Sequence, residues 1–201
     1  MLVKKDMPRK LRGFTLTEAA IVLGIVGLLL GAIWVAAAAV YNNMRISTTT
    51  TQILQIAQAV RAMHATTTSI TTGGDLAPTL AQAGAIPKDM MDNAIPPSIT
   101  NVWGGAVRIT ATTAAVGGTP AQQAFTITYE GVPTAACSDL LVRNTGSGRD
   151  SGLLQAGAGG NNTPAANMPI QVTSAVQQCG VAGQGGGGVG NNVAFTFTLR
   201  V

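Results

Sequence analysis

The most informative segment of this chain begins with Arg12-Gly13-Phe14-Thr15-Leu16-Thr17-Glu18. It leads directly into a run without charged side chains, from Ala19 to Tyr41. As a helix this run would be about 34 Å long, which is enough to cross the hydrocarbon core of a bilayer. The sequence therefore predicts an N-terminal membrane helix with a single carboxylate, Glu18, at its entrance.

Glu18 needs a partner of opposite charge. Placing a carboxylate at membrane depth costs about 2.5–3.5 kcal/mol, so an acid in such a position indicates a function. The apolar run contains no cation. A cut between Gly13 and Phe14 would create one, because the new α-amine of Phe14 would lie about one helical turn before Glu18.

The same residues resemble the class III signal of type IV prepilins, in which a basic leader ends in Gly, an apolar residue follows, and Glu stands fifth after the cut. Gly13, Phe14 and Glu18 match these three points. The resemblance implies that a prepilin peptidase cleaves after Gly13 and methylates the Phe14 amine. It also implies that the amine pairs with Glu18 of a neighbouring subunit in a homo-oligomeric helical filament.

That family also implies a location and further partners. The precursor would lie in the bacterial inner membrane, and the type IV pilus assembly machinery would add it to a pilus on the cell surface. Such filaments serve adhesion, conjugation, motility, secretion or DNA uptake, and all of these stay open as roles. No cofactor is implied.

An ordinary secretory signal is the alternative reading of the N-terminus. A basic start, an apolar stretch and the four alanines Ala36–Ala39 also fit a signal cut near residue 39. Two observations oppose it: the apolar run exceeds the usual length of about 7–15 residues, and Glu18 would have no role.

Charge separates a leader from the rest of the chain. Residues 1–13 carry five basic side chains against Asp6, and the remainder has equal numbers of basic and acidic residues. Basic residues beside a span stay on the cytoplasmic side, so the leader predicts that residues 42–201 cross the membrane. A folded part without a surplus of positive charge gives no support to nucleic-acid binding.

The long helix is expected to have two halves. Residues 14–41 would form the hydrophobic half and residues 42–72 an amphipathic half. The threonine-rich stretch 42–51 is a weak helix former, so it could break or bend the helix. Apolar residues then recur at helical spacing as far as Met63, which predicts a helix to about His64, with Gly73-Gly74 as a firm stop. In the first half, Gly24, Gly27 and Gly31 share one face, where neighbouring helices could approach closely.

Residues 73–201 predict a globular α+β head. A short helix is expected at Leu76–Ala83, with Asp75 as its cap, and another at Ser138–Arg143. Alternating β-branched and aromatic residues predict strands at 102–112, 125–130, 170–173 and 193–201. The glycine-, alanine- and asparagine-rich stretches 144–168 and 180–192 are predicted to be surface loops.

Cys137 and Cys179 would lie in an oxidising compartment, where a disulfide is the expected state. Closing a loop of about 43 residues would stabilise the head by roughly 4 kcal/mol in the chain-entropy model. Two free buried thiols are the alternative.

Two stretches of the head resemble the type IVb pilins of conjugative thin pili. They are Asn101-Val102-Trp103-Gly104-Gly105, at the predicted start of the sheet, and Val132-Pro133-Thr134-Ala135-Ala136-Cys137 after a strand. The resemblance implies the type IV pilin fold: a long N-terminal helix packed on a C-terminal antiparallel sheet, with a disulfide-tied C-terminal region. Phe14 departs from it, because a first phenylalanine is more usual in type IVa chains.

The sequence contains no pattern for catalysis or metal binding. His64 is the single histidine, and the acids show no paired spacing. A structural pilin is therefore predicted, not an enzyme. The alternatives are a type II secretion pseudopilin, a minor pilin, and an ordinary secreted or membrane-anchored binding domain.

Overall fold

The computed structural model describes residues 15–70, 74–92, 97–180 and 191–200. The chain divides into two units, Met1–Asn42 and Asn43–Val201. Helix α1, Leu16–Met63, runs through the end of the first unit into the second. Gly13 and Phe14 lie outside the described residues.

The threonine-rich stretch 42–51 does not break α1, although its composition made a break one of the expected outcomes. Thr49, Thr50 and Thr51 each donate a hydroxyl hydrogen bond to the carbonyl four residues earlier, at 2.9, 3.0 and 3.2 Å. These bonds satisfy the hydroxyls within the helix, so they do not compete with it from another conformation.

The helix ends at Met63, close to the last apolar position of the helical pattern. The expectation that helix continues to residue 72 is wrong. Residues 64–66 form a turn instead, in which the His64 and Ala65 amides donate to the Val60 and Ala62 carbonyls. The amphipathic half therefore ends well before Gly73-Gly74, the stop that the sequence suggested.

The part of α1 in the second unit buries one stripe of its surface. Its buried residues recur every three or four positions, which is the period of a helix face. They are Ile46, Thr49, Gln52, Ile53, Ile56, Ala57 and Val60. The apolar members belong to one core with the sheet residues, so this half of α1 is amphipathic, as predicted.

The sheet is antiparallel throughout. Among the described residues it has five strands: β1 Val107–Ala111, β2 Ala124–Val132, β3 Leu153–Ala158, β4 Asn161–Pro164 and β5 Asn191–Thr198. Their order in space is β1-β2-β5-β3-β4. The C-terminal strand β5 is therefore central, and strands from the two halves of the head sequence pair with it on either side.

Two regions differ from the sequence prediction. Residues 144–168 are not simply a loop, because they contain β3, β4 and the end of a helix. They were missed because Leu153–Ala158 has few β-branched or aromatic residues and pairs with β5 far along the chain. The first predicted strand also starts late, at Val107, since residues 102–104 form a turn.

Three further α-helices are described: α2 Ala77–Gln82, α3 Thr134–Thr145 and α4 Val172–Gly180. Short 3₁₀ turns occur at Lys88–Met90 and Ala165–Asn167. The prediction of helices near 76–83 and 138–143 is confirmed. The predicted strand at 170–173 is wrong, because α4 begins at Val172. A window of four residues is too short to distinguish the period of a strand from that of a helix.

The N-cap residue of α2 is Leu76, which makes no side-chain cap hydrogen bond, so the prediction of Asp75 as the cap is wrong by one residue. Asp75 still contacts the helix start. Its Oδ1 accepts a hydrogen bond from the Ala77 amide at 3.0 Å and another from the Ile109 amide at 2.9 Å. It therefore links the start of α2 to strand β1.

Arg61 joins α1 to the far end of the head. Its guanidinium makes two hydrogen bonds to the Asp150 carboxylate, at 2.8 and 2.9 Å, and its Nε donates to the Thr198 carbonyl at 3.0 Å. The charged group also lies over the Phe197 ring, 5.7 Å from its centroid. The Arg61 hydrogen bond holds the pKa of Asp150 below its usual value.

Asp150→Asn is expected to lower the free energy of unfolding by about 2 kcal/mol at neutral pH, because it removes a charge-assisted hydrogen-bonded pair. The folded-state pKa of Asp150 is depressed, so its stabilisation is present above the unfolded pKa of about 3.9 and is lost as the pH falls through the folded value. The difference between wild type and variant should therefore shrink in acid.

The measurement is denaturant unfolding of the full chain in detergent, followed by near-UV circular dichroism at about pH 7 and pH 2. Asp139→Asn, an exposed acid on α3, is the matched control and should change little. An equal loss for Asp150→Asn at both pH values would contradict the role assigned to the ion pair.

Candidate assembly helix and processing site

Glu18 lies in the first turn of α1, where it forms a capping arrangement with Thr15. The Glu18 amide donates to Thr15 Oγ1 at 3.3 Å, and Thr15 Oγ1 lies 3.4 Å from Glu18 Oε2. A Thr-x-x-Glu pattern at a helix start is a recognised capping signature. It could be read from the sequence, but the interpretation of Glu18 as an assembly residue overlooked it.

The Glu18 side chain is solvent-exposed, and its contact with Thr15 is long. Between Thr15 and Met44 it is the one ionisable carboxylate, and no basic residue lies in that interval. The carboxylate is thus held at the helix N-terminus, where the helix dipole favours negative charge. It remains accessible to a cation from outside the helix.

The apolar half of α1 is uncovered on all sides. Its large side chains are well exposed; Leu23, Leu28 and Trp34 reach 72%, 73% and 79%. Within the described residues, α1 is the helix whose length and composition would allow it to span a membrane, with a mean hydropathy of 2.6 in its most apolar window. A surface of this kind needs lipid or protein around it.

Gly24, Gly27 and Gly31 occupy this uncovered helix. A methyl group added at any of the three would meet no atom within 4 Å. No close approach inside the chain therefore requires glycine here. A role of the three glycines in close contacts with another molecule stays a prediction.

The disulfide joins Cys137 of α3 to Cys179 of α4, with Cα atoms 5.9 Å apart and a sequence separation of 42. Both cysteines are fully buried. The expectation of a disulfide is confirmed. The loop that it closes contains β3 and β4, so the bond ties the second half of the sheet to the helix that follows β2.

Asn101 organises the turn at the start of the sheet. Its Oδ1 accepts hydrogen bonds from the Trp103 and Gly105 amides, at 2.9 and 3.1 Å, and its Nδ2 donates to the Glu130 carbonyl at 2.7 Å. Gly104 has a φ of +84°. A Cβ at Gly105 would lie 1.8 Å from the Glu130 carbonyl oxygen, so a side chain is excluded there. The Asn-Val-Trp-Gly-Gly stretch is therefore a structural turn.

No metal-binding group of three or more His, Cys, Asp or Glu side chains occurs in the part of the chain that the structure describes. His64 Nδ1 lies 3.0 Å from the Val60 carbonyl oxygen, at the end of α1. This contact accounts for the histidine as a helix-end residue.

A long helix on an antiparallel sheet with a disulfide-tied C-terminal region can now be compared with known proteins. The family model described as PilS N terminal matches residues 43–198. The chain belongs to the PilS family. The match covers the whole of the described second unit apart from its last two residues.

Three solved structures of type IV pilins are similar to this chain. The crystal structure of a type IVb pilin from Salmonella typhi has a TM-score of 0.57 and 26% identity, covering 76% of this chain and 99% of that one. An NMR structure of the Salmonella typhi type IVb pilin PilS has a TM-score of 0.46 and 23% identity, covering 76% and 95%. TcpA, a type IV pilin of Vibrio cholerae El Tor, has a TM-score of 0.47 and 14% identity, covering 77% and 99%.

No curated protein sequence is significantly similar to the chain. The family and the first of the three structures confirm the type IVb resemblance and the α+β type IV pilin fold. The chain is a structural subunit of a pilus and not an enzyme. The comparisons give no support to a pseudopilin or to an ordinary secreted binding domain.

Replacing both Cys137 and Cys179 by serine is expected to lower the free energy of unfolding by about 4 kcal/mol, because the unfolded chain regains the entropy of the closed loop. Denaturant unfolding of the full chain in detergent measures this loss. Reducing the wild-type protein should reproduce it, and the reductant should not affect the double variant. Unfolding that is insensitive to reduction would contradict the stabilising role.

Proposed function

We propose that this pilin polymerises through α1 after a prepilin peptidase removes residues 1–13 by cutting between Gly13 and Phe14. The observation that carries the proposal is the uncovered apolar helix with a lone carboxylate, Glu18, in its first turn. Residues 14–41 would form the filament core, and residues 73–201 the pilin head at the pilus surface.

Cleavage would change the electrostatics of the helix start. In the precursor the Gly13–Phe14 amide is neutral, and the basic side chains of the leader hold the chain at the cytoplasmic face of the inner membrane. After the cut, Phe14 carries an α-amine with an ordinary pKa of about 7.7–8.0, so it is largely cationic at neutral pH. N-methylation of Phe14 would leave an amine that can still be protonated.

The partner of that amine would be Glu18 of an adjacent subunit. When apolar helices pack together, both charges leave lipid for a protein interior, where an unmatched charge costs several kcal/mol. Subunits out of register would leave Glu18 unpaired. The weak contact from Thr15 allows the carboxylate to turn towards the incoming cation.

Close helix packing is the second part of the mechanism. Gly24, Gly27 and Gly31 would provide positions where the backbones of neighbouring copies approach, since no atom of the same chain occupies the space beside them. The pilus assembly machinery and the peptidase are the further partners that this route requires.

Glu18→Gln is expected to leave membrane insertion and cleavage unchanged but to lower the yield of sheared filaments by about tenfold or more, because the amine would be buried without a counter-ion. The comparison is between the amount of mature pilin in the membrane fraction and the amount in sheared filaments. Asp139→Asn is the matched control. Normal piliation by Glu18→Gln would refute the pairing.

Mass spectrometry of the mature protein tests the processing step. We expect the mature chain to begin with N-methylated Phe14, and Gly13→Val to accumulate as uncleaved precursor because a bulky side chain occupies the cleavage position. Met7→Leu, elsewhere in the leader, should be processed normally. A mature chain that begins near Val40 would instead establish the secretory-signal alternative.

A further inference from the structure

Helix α4 exposes an apolar face. Val172 and Val176 are one helical turn apart, with 62% and 50% of their surfaces accessible. Among the described residues outside α1, these two valines are the only large apolar side chains that are exposed. The opposite side of α4 is anchored, because Ala175 and Cys179 are fully buried and Cys179 is bonded to α3. The two valines are therefore presented on a fixed support.

The chain segment that carries this face contains no charge. No ionisable side chain other than the bonded Cys179 occurs between Ser151 and Leu199, a segment that includes β3, β4, α4 and β5. Soluble surfaces usually carry many charges of both signs, whereas the cores of protein interfaces are depleted of them. The α4 face, defined here by Val172, Thr173, Val176 and Gln177, has the composition of a contact surface.

A second uncharged face lies on α1 in the second unit. From Ile46 to Val60 the chain has no charged residue, and the exposed positions recur at helical spacing. The α1 face, as the term is used below, consists of Thr48, Thr51, Leu54, Gln55 and Gln58. Leu54 lies at the centre of the α1 face, and 36% of its surface is exposed.

A shallow groove of about 410 Å³ borders the α1 face and is closed on its other side by Pro87 and Asp89. Asp89 is its one charged lining residue, and Gln52 Nε2 donates a hydrogen bond to that carboxylate at 2.9 Å. The groove thus adds a concave border to the α1 face. The one charge in its lining, the Asp89 carboxylate, already accepts a hydrogen bond from Gln52.

We propose that the α4 face of one pilin packs on the α1 face of a second copy. A pilus subunit must contact its copies, and an open filament requires a pair of different surfaces, because two identical patches close into a dimer. The two faces lie on different elements and match in lacking charge, so their contact buries apolar area without desolvating an ion. The inference depends on the chain being a pilus subunit and not on the Glu18 pairing.

A membrane surface is the less favoured occupant. Threonine and glutamine flank the two valines, and the α4 face has no basic residues with which to attract anionic lipid. A different protein is the remaining possibility. Both would appear as distinct outcomes in the cross-linking experiment.

The test is photo-cross-linking in assembled filaments. The full-length pilin carries a photoreactive benzoylphenylalanine in place of Val176, and irradiated, sheared filaments are digested with trypsin. Cleavage after Arg45 and Arg61 releases the α1 face in a single peptide, residues 46–61. We expect a cross-linked pilin dimer in which position 176 is joined to that peptide. The same probe at Thr113, an exposed residue between β1 and β2, should not label it.

Cross-links to lipid, to a different protein or to another part of the pilin would overturn the proposal, and so would filaments in which position 176 gives no cross-link. The result is independent of processing. If the mature chain did not begin at Phe14 but the 46–61 cross-link formed, the proposed function would fail and the interface would stand.

A charge exchange gives a second measurement. Val176→Glu and Leu54→Lys should each lower the yield of sheared filaments by about tenfold, because each buries one unpaired charge. The double variant should recover to within about threefold of wild type, since the two charges would then face each other. Oxidised pilin in the membrane fraction, seen by its gel mobility, confirms folding. Normal piliation by both single variants, or no recovery in the double variant, would overturn the pairing.

Discussion

The apolar surface of α1 in the first unit is the constraint from which the rest of this pilin follows. A helix that exposes leucine, isoleucine and tryptophan on every side is unstable in water, so it needs lipid or other helices around it. Glu18 is the exception in this surface, and in the proposed assembly its charge would select a protein partner over lipid. Lipid can accommodate the apolar side chains, but a carboxylate is better served by a protein partner that brings a cation.

The head has few large apolar side chains with which to build a core, because it has few aromatic residues and many glycines and alanines. Its core depends on a few large side chains on the central strands, with Phe125 and Phe197 stacked 5.8 Å apart across β2 and β5. Long-range links supplement this core. The Cys137–Cys179 bond ties β3 and β4 to the helices, and Arg61 ties the end of α1 to Asp150 and Thr198.

The same composition has a consequence for the surface. A head with balanced and sparse charges leaves whole helix faces uncharged, on α4 and on α1. For a monomer this would favour aggregation, whereas a filament subunit can use such faces as contacts between copies. The sparse charge and the polymeric role are therefore consistent with each other.

Local patterns in the sequence were sufficient for the features that depend on neighbouring residues. The charge-free run, the position of Glu18, the helical spacing to Met63 and the alternation of β5 were all readable, and the family resemblance gave the fold class. Such features follow from the period of a helix or strand and from the cost of burying charge. The remaining features depend on tertiary contacts. Strand β3 pairs with β5, and β4 pairs in turn with β3. Helix α4 stands where a strand was predicted, with Ala175 and Cys179 packed inward, and Arg61 binds Asp150, 89 positions away in sequence. Those contacts join residues far apart in sequence, and no local pattern records them.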